Sequence, residues 1–181
     1  YRQRTLKSFR KQLGVILQTP HVFSGTIIEN IRYGNFNASE ERIVEVLSSI
    51  GADELIPRLH EEIGEEGGTL SLGEKQLISF ARVILKDPKI LIMDEATSSV
   101  DTLAEAKIQR GIEQLVKGRT SIIIAHRLST IKNTDRILVI RKGEIPEEGS
   151  HRQLLAKRGF YYRLYTRQSR RRLVRKAREE S

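Results

Sequence analysis

The chain has 181 residues, 38% hydrophobic and 30% charged, a balance that builds one globular domain with a real core and excludes a disordered polymer. Its net charge of +9 is carried by its two ends: residues 1–11 hold five Lys/Arg and no acid, residues 163–181 hold eight against two acids, and the remaining body is slightly acidic, which argues against a nucleic-acid-binding body. No cysteine, no N-terminal signal peptide and no apolar run near the roughly 18 residues of a membrane span are present, so disulfides, thiol catalysis and a spanning helix are excluded and a cytosolic setting fits.

The elements follow in chain order. Leu13 to Leu17 reads as a strand, and Thr26 to Arg32 and Glu40 to Ser49 carry helical spacing. A longer helix opens near Leu70-Ser71, places Leu77, Phe80, Ala81, Ile84 and Leu85 on one face, and stops at Asp87-Pro88. A strand over Ile90 to Met93 follows. The next helix, Thr102 to Val116, turns Ala104, Ile108, Ile112 and Leu115 inward and ends ahead of Gly118. Ser121 to Ala125 and Ile137 to Ile140 complete a set of four short Ile/Leu/Val-rich strands of the kind buried on both faces. After a Lys142-Gly143 turn, Glu144 to Glu147 reads as a weak return strand, at an edge because Pro146 cannot donate to a ladder. Ser150 to Tyr165 is helical, and residues 166–181 form a basic, solvent-exposed, partly helical tail. The tyrosines beside it, Tyr161, Tyr162 and Tyr165, make no stacking platform for bases. Strands alternating with helices predict an α/β fold with a largely parallel sheet.

Three of these strands end in polar groups: Gln18 after the first, Asp94 and Glu95 after the second, His126 after the third. Ligands of open α/β sheets bind at the carboxyl ends of strands, so the four form a candidate site. Singly, each has a plain structural reading, as a turn glutamine, a helix-capping aspartate or a structural histidine. Asp94 is a candidate Mg²⁺ holder, directly or through water, and Glu95 a candidate general base. Ser71 and Glu74 stand in capping-box spacing at the start of the long helix, with Gly73 between them, and the free amides of such a helix end make an anion site.

In order, these segments resemble the ATP-binding cassette (ABC) ATPase domain of exporter-type transporters, over about residues 1 to 165. The matching stretches are Val15-Ile16-Leu17-Gln18 with Val22-Phe23-Ser24-Gly25-Thr26-Ile27 (Q-loop region), Ile63-Gly64-Glu65-Glu66-Gly67 (X-loop) and Leu70-Ser71-Leu72-Gly73-Glu74 (signature). Then come Ile90 to Glu95 (Walker B and catalytic glutamate), Ser98-Ser99-Val100-Asp101 (D-loop) and Ala125-His126-Arg127-Leu128-Ser129-Thr130 (H-loop). The resemblance implies a P-loop NTPase-like fold with a helical signature subdomain over about 26–86. It implies ATP and Mg²⁺ as ligands: Gln18 and Asp94 serve the metal, Gln18 also senses the membrane-domain contact expected near Gln18 to Ile28, Glu95 polarises water and His126 meets the γ-phosphate. Ser71 and Gly73, with Glu74 beside them, reach ATP on a second cassette, and Asp101 couples the two halves. It also implies a transmembrane domain fused upstream, a homo- or heterodimer of cassettes, and a place at the cytoplasmic face of the membrane.

Three departures qualify this expectation. No glycine is followed by lysine, so the G-x-x-x-x-G-K-[ST] phosphate loop is absent. With Tyr1 at the start and Met93 the one methionine, an upstream segment is expected to carry that loop, and the chain reads as an N-terminally truncated cassette. Such a chain is expected to be inactive alone and marginally stable, with open strand edges and uncovered apolar faces. The alternative is a non-catalytic partner domain that completes another cassette's ATP site. Leu72 and Glu74 stand where the family usually has Gly and Gln, and the Glu74 charge is either neutralised by Lys75 or taken up in the capping box.

Overall fold

In the computed structural model, which describes residues 5–94, 102–125 and 128–179, Thr5 Oγ1 accepts the Ser8 amide at 3.2 Å and opens a short helix, α1 (Leu6–Lys11). Strand β1 (Leu13–Ile16) follows, then β2 (Gly25–Thr26), α2 (Ile27–Arg32), α3 (Glu40–Ser49), a 3-10 segment over Asp53–Arg58, and β3 (Glu62–Ile63), which pairs antiparallel with β2. Helix α4 (Leu72–Lys86) leads to β4 (Ile90–Asp94), α5 (Thr102–Val116) and β5 (Thr120–Ile124). The chain divides into two compact units, Tyr1–Ile124 and Ala125–Ser181.

In the first unit β4 lies between β1 and β5 in a parallel sheet, with Leu13 opposite Ile90 and Asp94 opposite Ile124. The predicted strands therefore stand within a residue of their expected ends. One face of this sheet is deeply buried, through Ile16, Leu91 and Met93, against a core that includes Ile31, Leu47 and Leu77. Helix α4 packs on α2, α3, α5 and β1 and is the hub of that core. Its predicted inward face holds, with Leu77, Phe80, Ala81 and Leu85 buried, and Asp87 closes the helix in a left-handed conformation at φ 47°.

The strands are not buried on both faces as their composition suggests, and the uncovered apolar face and open edge also expected of this chain are present among the described residues. Val15, Ile122 and Ile124 are about half exposed, on the face opposite that of Ile16, Leu91 and Met93. The outer edge of β5 also has no strand beside it among the described residues. An apolar face with an open edge is an association hazard.

The second unit contains α6 (Leu128–Ile131), β6 (Ile137–Arg141), β7 (Glu144–Gly149), α7 (His151–Ala156) and α8 (Phe160–Glu179). Strands β6 and β7 form a separate antiparallel hairpin, joined by Lys142 (φ 52°) and Gly143 (φ 81°), the paired positive φ values of the two-residue turn that matches strand twist. Pro146 sits in β7 where the register shifts, and Leu138 and Ile140 face outward. The helix expected over Ser150 to Tyr165 is two helices. Arg158 takes a left-handed φ of 50°, and Glu147 restarts the chain by accepting the amides of Phe160 (2.5 Å) and Tyr161 (3.0 Å). These bonds hold the Glu147 carboxyl below the ordinary glutamate value. Tyr161 is buried with its hydroxyl 2.6 Å from His151 Nδ1, so it serves this small core.

The contact between α4 and α5 depends on Gly111, where a Cβ would stand 2.5 Å from the buried Phe80 ring. Gly111→Ala gains about 1 kcal/mol of helix propensity but overpacks a site that cannot yield, at a cost of roughly 1–3 kcal/mol. A net fall in the urea midpoint is the expected result; a rise would show that the two helices separate easily.

Candidate functional site

Two places in the first unit gather the candidate residues. The first is the carboxyl edge of the parallel sheet. Asp94 is the last residue of β4, half-buried, and Gln18 lies exposed two residues beyond the end of β1, the strand that pairs with β4. Adjacent parallel strands deliver both side chains to one edge because both ladders run to the same end. Glu95, Asp101 and His126 lie outside the described residues. The oxygen donors present, one carboxylate and one amide carbonyl, fit a hard cation such as Mg²⁺. Among the described residues no group of three His, Cys, Asp or Glu is placed to hold a metal ion.

The second place is the first turn of α4. Ser71 is its N-cap, with φ −64° and ψ 159°, and its Oγ accepts the Glu74 amide at 3.2 Å. In return Glu74 Oε2 accepts the Ser71 amide at 2.8 Å, completing the capping box. Because Ser71 Oγ is used as an acceptor, its proton remains to be donated outward. The amides of Leu72 and Gly73 have no acceptor among the described residues. A hydroxyl, two amides and the positive end of a 15-residue helix make this turn an anion-facing surface. Gly73 is buried, whereas the Leu72 side chain is 42% exposed, turned away from the core.

The Glu74 charge has a definite fate. Its second oxygen, Oε1, accepts Arg58 Nη1, while Arg58 Nε and Nη2 hold Glu61 at 2.7 and 3.0 Å. Burial works against ionisation of Glu74, but the Ser71 amide and hydroxyl and the Arg58 guanidinium outweigh it, and the carboxyl is held below the ordinary glutamate value of 4.5. The capping-box alternative is thus what the structure shows, with Arg58 as the counter-ion.

Arg58 was not singled out in sequence, since it lies 16 residues from Glu74 in a 3-10 segment and no local signal links them. A second long-range network was equally hidden. Fully buried Asn30 accepts the Phe23 amide (2.8 Å), donates to the Phe23 and Thr26 carbonyls (2.9 and 3.0 Å), and accepts Arg82 Nη2 (2.5 Å). Arg82 also donates to the Asn30 and His21 carbonyls and lies 5.2 Å from the Phe23 ring centre and 5.9 Å from that of Tyr33. The chain after β1 is thereby fixed on α4, and Phe23, Tyr33 and Phe36 present an exposed aromatic surface.

The family profile described as "ABC transporter" matches residues 1–98. The chain is 53% identical over 161 residues to an uncharacterized ABC transporter ATP-binding protein, YknV, of Bacillus subtilis, covering 87% of this chain and 27% of that protein. It is 51% identical over 168 residues to an ATP-dependent lipid A-core flippase of Syntrophus aciditrophicus, covering 91% of this chain and 28% of the flippase. Among solved structures, a bacterial Atm1-family ABC exporter with ATP bound superposes with a TM-score of 0.80 at 39% identity, over 91% of this chain and 29% of the exporter chain. The chain thus spans little more than a quarter of the length of these proteins, and the parallel-sheet α/β fold is that of an ABC ATPase domain.

Glu74 contributes stability through its ionised form. That contribution is complete above the unfolded value near 4.5 and disappears as pH falls through the lower folded-state value. The unfolding midpoint of the native chain is therefore expected to drop more steeply below pH 4.5 than that of Glu74→Gln. Parallel acid limbs in urea titrations would show that the carboxylate is not engaged.

Proposed function

The chain belongs to the ABC transporter family, and on that premise we propose that it is the C-terminal portion of an exporter-type ATP-binding domain whose parent protein couples Mg²⁺-ATP hydrolysis to substrate movement across a membrane. The observation that supports this best is the convergence of Gln18 and Asp94 on one sheet edge, directly ahead in sequence of Glu95 and in register with the strand that leads to His126. The reaction is in-line transfer of the γ-phosphoryl group to water, in which positioning and charge stabilisation supply most of the rate. In this reading Glu95 orients and polarises the attacking water, and His126 contacts the γ-phosphate. Asp94 and Gln18 would hold Mg²⁺, which when bound neutralises phosphate charge. Ser71 and the α4 amides face the ATP held by a second cassette, and Asp101 couples the halves of the dimer.

The exposed aromatic surface of Phe23, Tyr33 and Phe36 is the proposed contact for the transmembrane domain, because Asn30 and Arg82 hold it rigidly against the helix that carries Ser71. Among the described residues no helix is long and apolar enough to cross a membrane. Attachment at the cytoplasmic face is accordingly assigned to the transmembrane domain of the parent. A second reading, a non-catalytic domain that only completes a partner's ATP site, is favoured by one observation: no glycine is followed by lysine, so these residues include no phosphate-cradling loop. On either reading the 181 residues alone hydrolyse no ATP.

Steady-state hydrolysis by the full-length protein, by its Glu95→Gln variant and by the present chain separates the two. Activity in the full-length protein that falls at least about 100-fold in Glu95→Gln supports the ATPase reading; a well-folded, inactive full-length protein supports the partner domain. In the same protein Phe23→Ala with Tyr33→Ala is expected to reduce transport severalfold more than ATP hydrolysis. Equal losses would place the membrane contact elsewhere.

A further inference from the structure

The first turn of α4 offers an anion a hydroxyl, two amides and a helix dipole, yet it also carries Glu74, a carboxylate three residues past the N-cap. An unneutralised negative charge there opposes the ligand that the turn is built to meet. The Glu74 side chain is only 18% exposed, so water screens it poorly, and one of its oxygens is committed to the Ser71 amide. The other is met by Arg58, whose remaining nitrogens grip Glu61 and so hold the guanidinium in place from behind.

We propose that Arg58 is a positioning residue of the ATP site that α4 completes: it offsets the Glu74 charge and fixes the carboxylate in its capping geometry, so that Ser71 and the α4 amides present a less repulsive surface to the nucleotide phosphates. The inference rests on the reading of the α4 start as facing a partner's ATP. Arg58 touches no phosphate. It acts through Glu74, and its importance follows from the presence of Glu rather than a neutral amide at that position. The two residues therefore form one unit, in which the cost of losing Arg58 is set by whether position 74 is charged.

A double-mutant cycle in the full-length protein tests this. With Glu74 present, Arg58→Met is expected to raise the KM for ATP roughly tenfold, the size of an unscreened charge acting about 10 Å away at intermediate dielectric. In an E74Q background the same Arg58 substitution is expected to change KM by less than about twofold. A loss that persists in the E74Q background overturns the proposal and assigns Arg58 a merely structural role. Glu61→Gln, which removes the partner that holds Arg58 from behind, is expected to raise KM less than Arg58→Met does, and only with Glu74 present; a rise of the same size in the E74Q background would show that the effect does not pass through Glu74 and would overturn the proposal. Arg58→Lys, which keeps the charge, covers the case in which Arg58→Met fails to fold, and is expected to retain most of the native KM.

Two further readings separate this proposal from the one beneath it. Ser71→Ala is expected to weaken ATP-dependent activity; if it does not, the α4 start faces no nucleotide and the underlying reading fails, whatever Arg58 does. In the 181-residue chain itself, carboxyl ¹³C NMR is expected to show the Glu74 titration midpoint moving upward in Arg58→Met. An unmoved midpoint would mean that Arg58 does not neutralise Glu74 and would overturn the proposal without reference to activity.

Discussion

Strand β4 has a hydrogen-bonded neighbour on each side and a helix-covered face beneath it, and the placement of the sheet-edge residues follows from that. Because β1, β4 and β5 run parallel, their carboxyl ends lie at one edge of the sheet, where Asp94 and Gln18 stand. Leu91 and Met93 anchor the strand from below, so Asp94 emerges at a position set by core packing rather than by a loop. The same packing brings α4 against β1 and gives the two parts of the candidate site a common scaffold.

Helix α4 works under opposing demands. Its first turn needs to be capped, and a carboxylate at Glu74 does this well; the same turn faces an anion in the proposed function, and a carboxylate there is unwelcome. Arg58, shared with Glu61, leaves the cap in place while partly offsetting its charge. Capping and neutralisation are separable effects, since one comes from a neighbour three residues away and the other from a distant turn of chain.

Local signals were legible in the sequence, and distant ones were not. The Ser71 and Glu74 spacing, the Asp87-Pro88 stop and the Lys142-Gly143 turn are decided within a few residues, and each forms where it was expected. The four strands were found because aliphatic runs of that length have few other uses. The return strand after Lys142-Gly143 was legible too, whereas the separation of β6 and β7 from the parallel sheet was not, since it depends on which other elements are present to pack. The break between α7 and α8 was hidden because it is stabilised by Glu147, 13 residues before Phe160. Arg58 and Arg82 escaped for the same reason. An arginine announces its partner only in three dimensions, and the Asn30 to Arg82 contact spans 52 positions. For Glu95, Asp101 and His126 the reading rests on their place in an ordered series of motifs, of which the family profile spans the part up to residue 98.

The Arg82 network has a mechanical consequence. One guanidinium fastens the aromatic segment around Phe23 to α4 at a point eleven residues from Ser71. At 1.5 Å per residue that is an arm of about 16 Å. A tilt of about 10° about the Arg82 end moves the Ser71 end by nearly 3 Å, roughly the length of one hydrogen bond. The three bonds of Arg82, to the Asn30 and His21 carbonyls and the Asn30 side-chain oxygen, thus tie the position of the aromatic surface to that of the Ser71 turn through one packed helix.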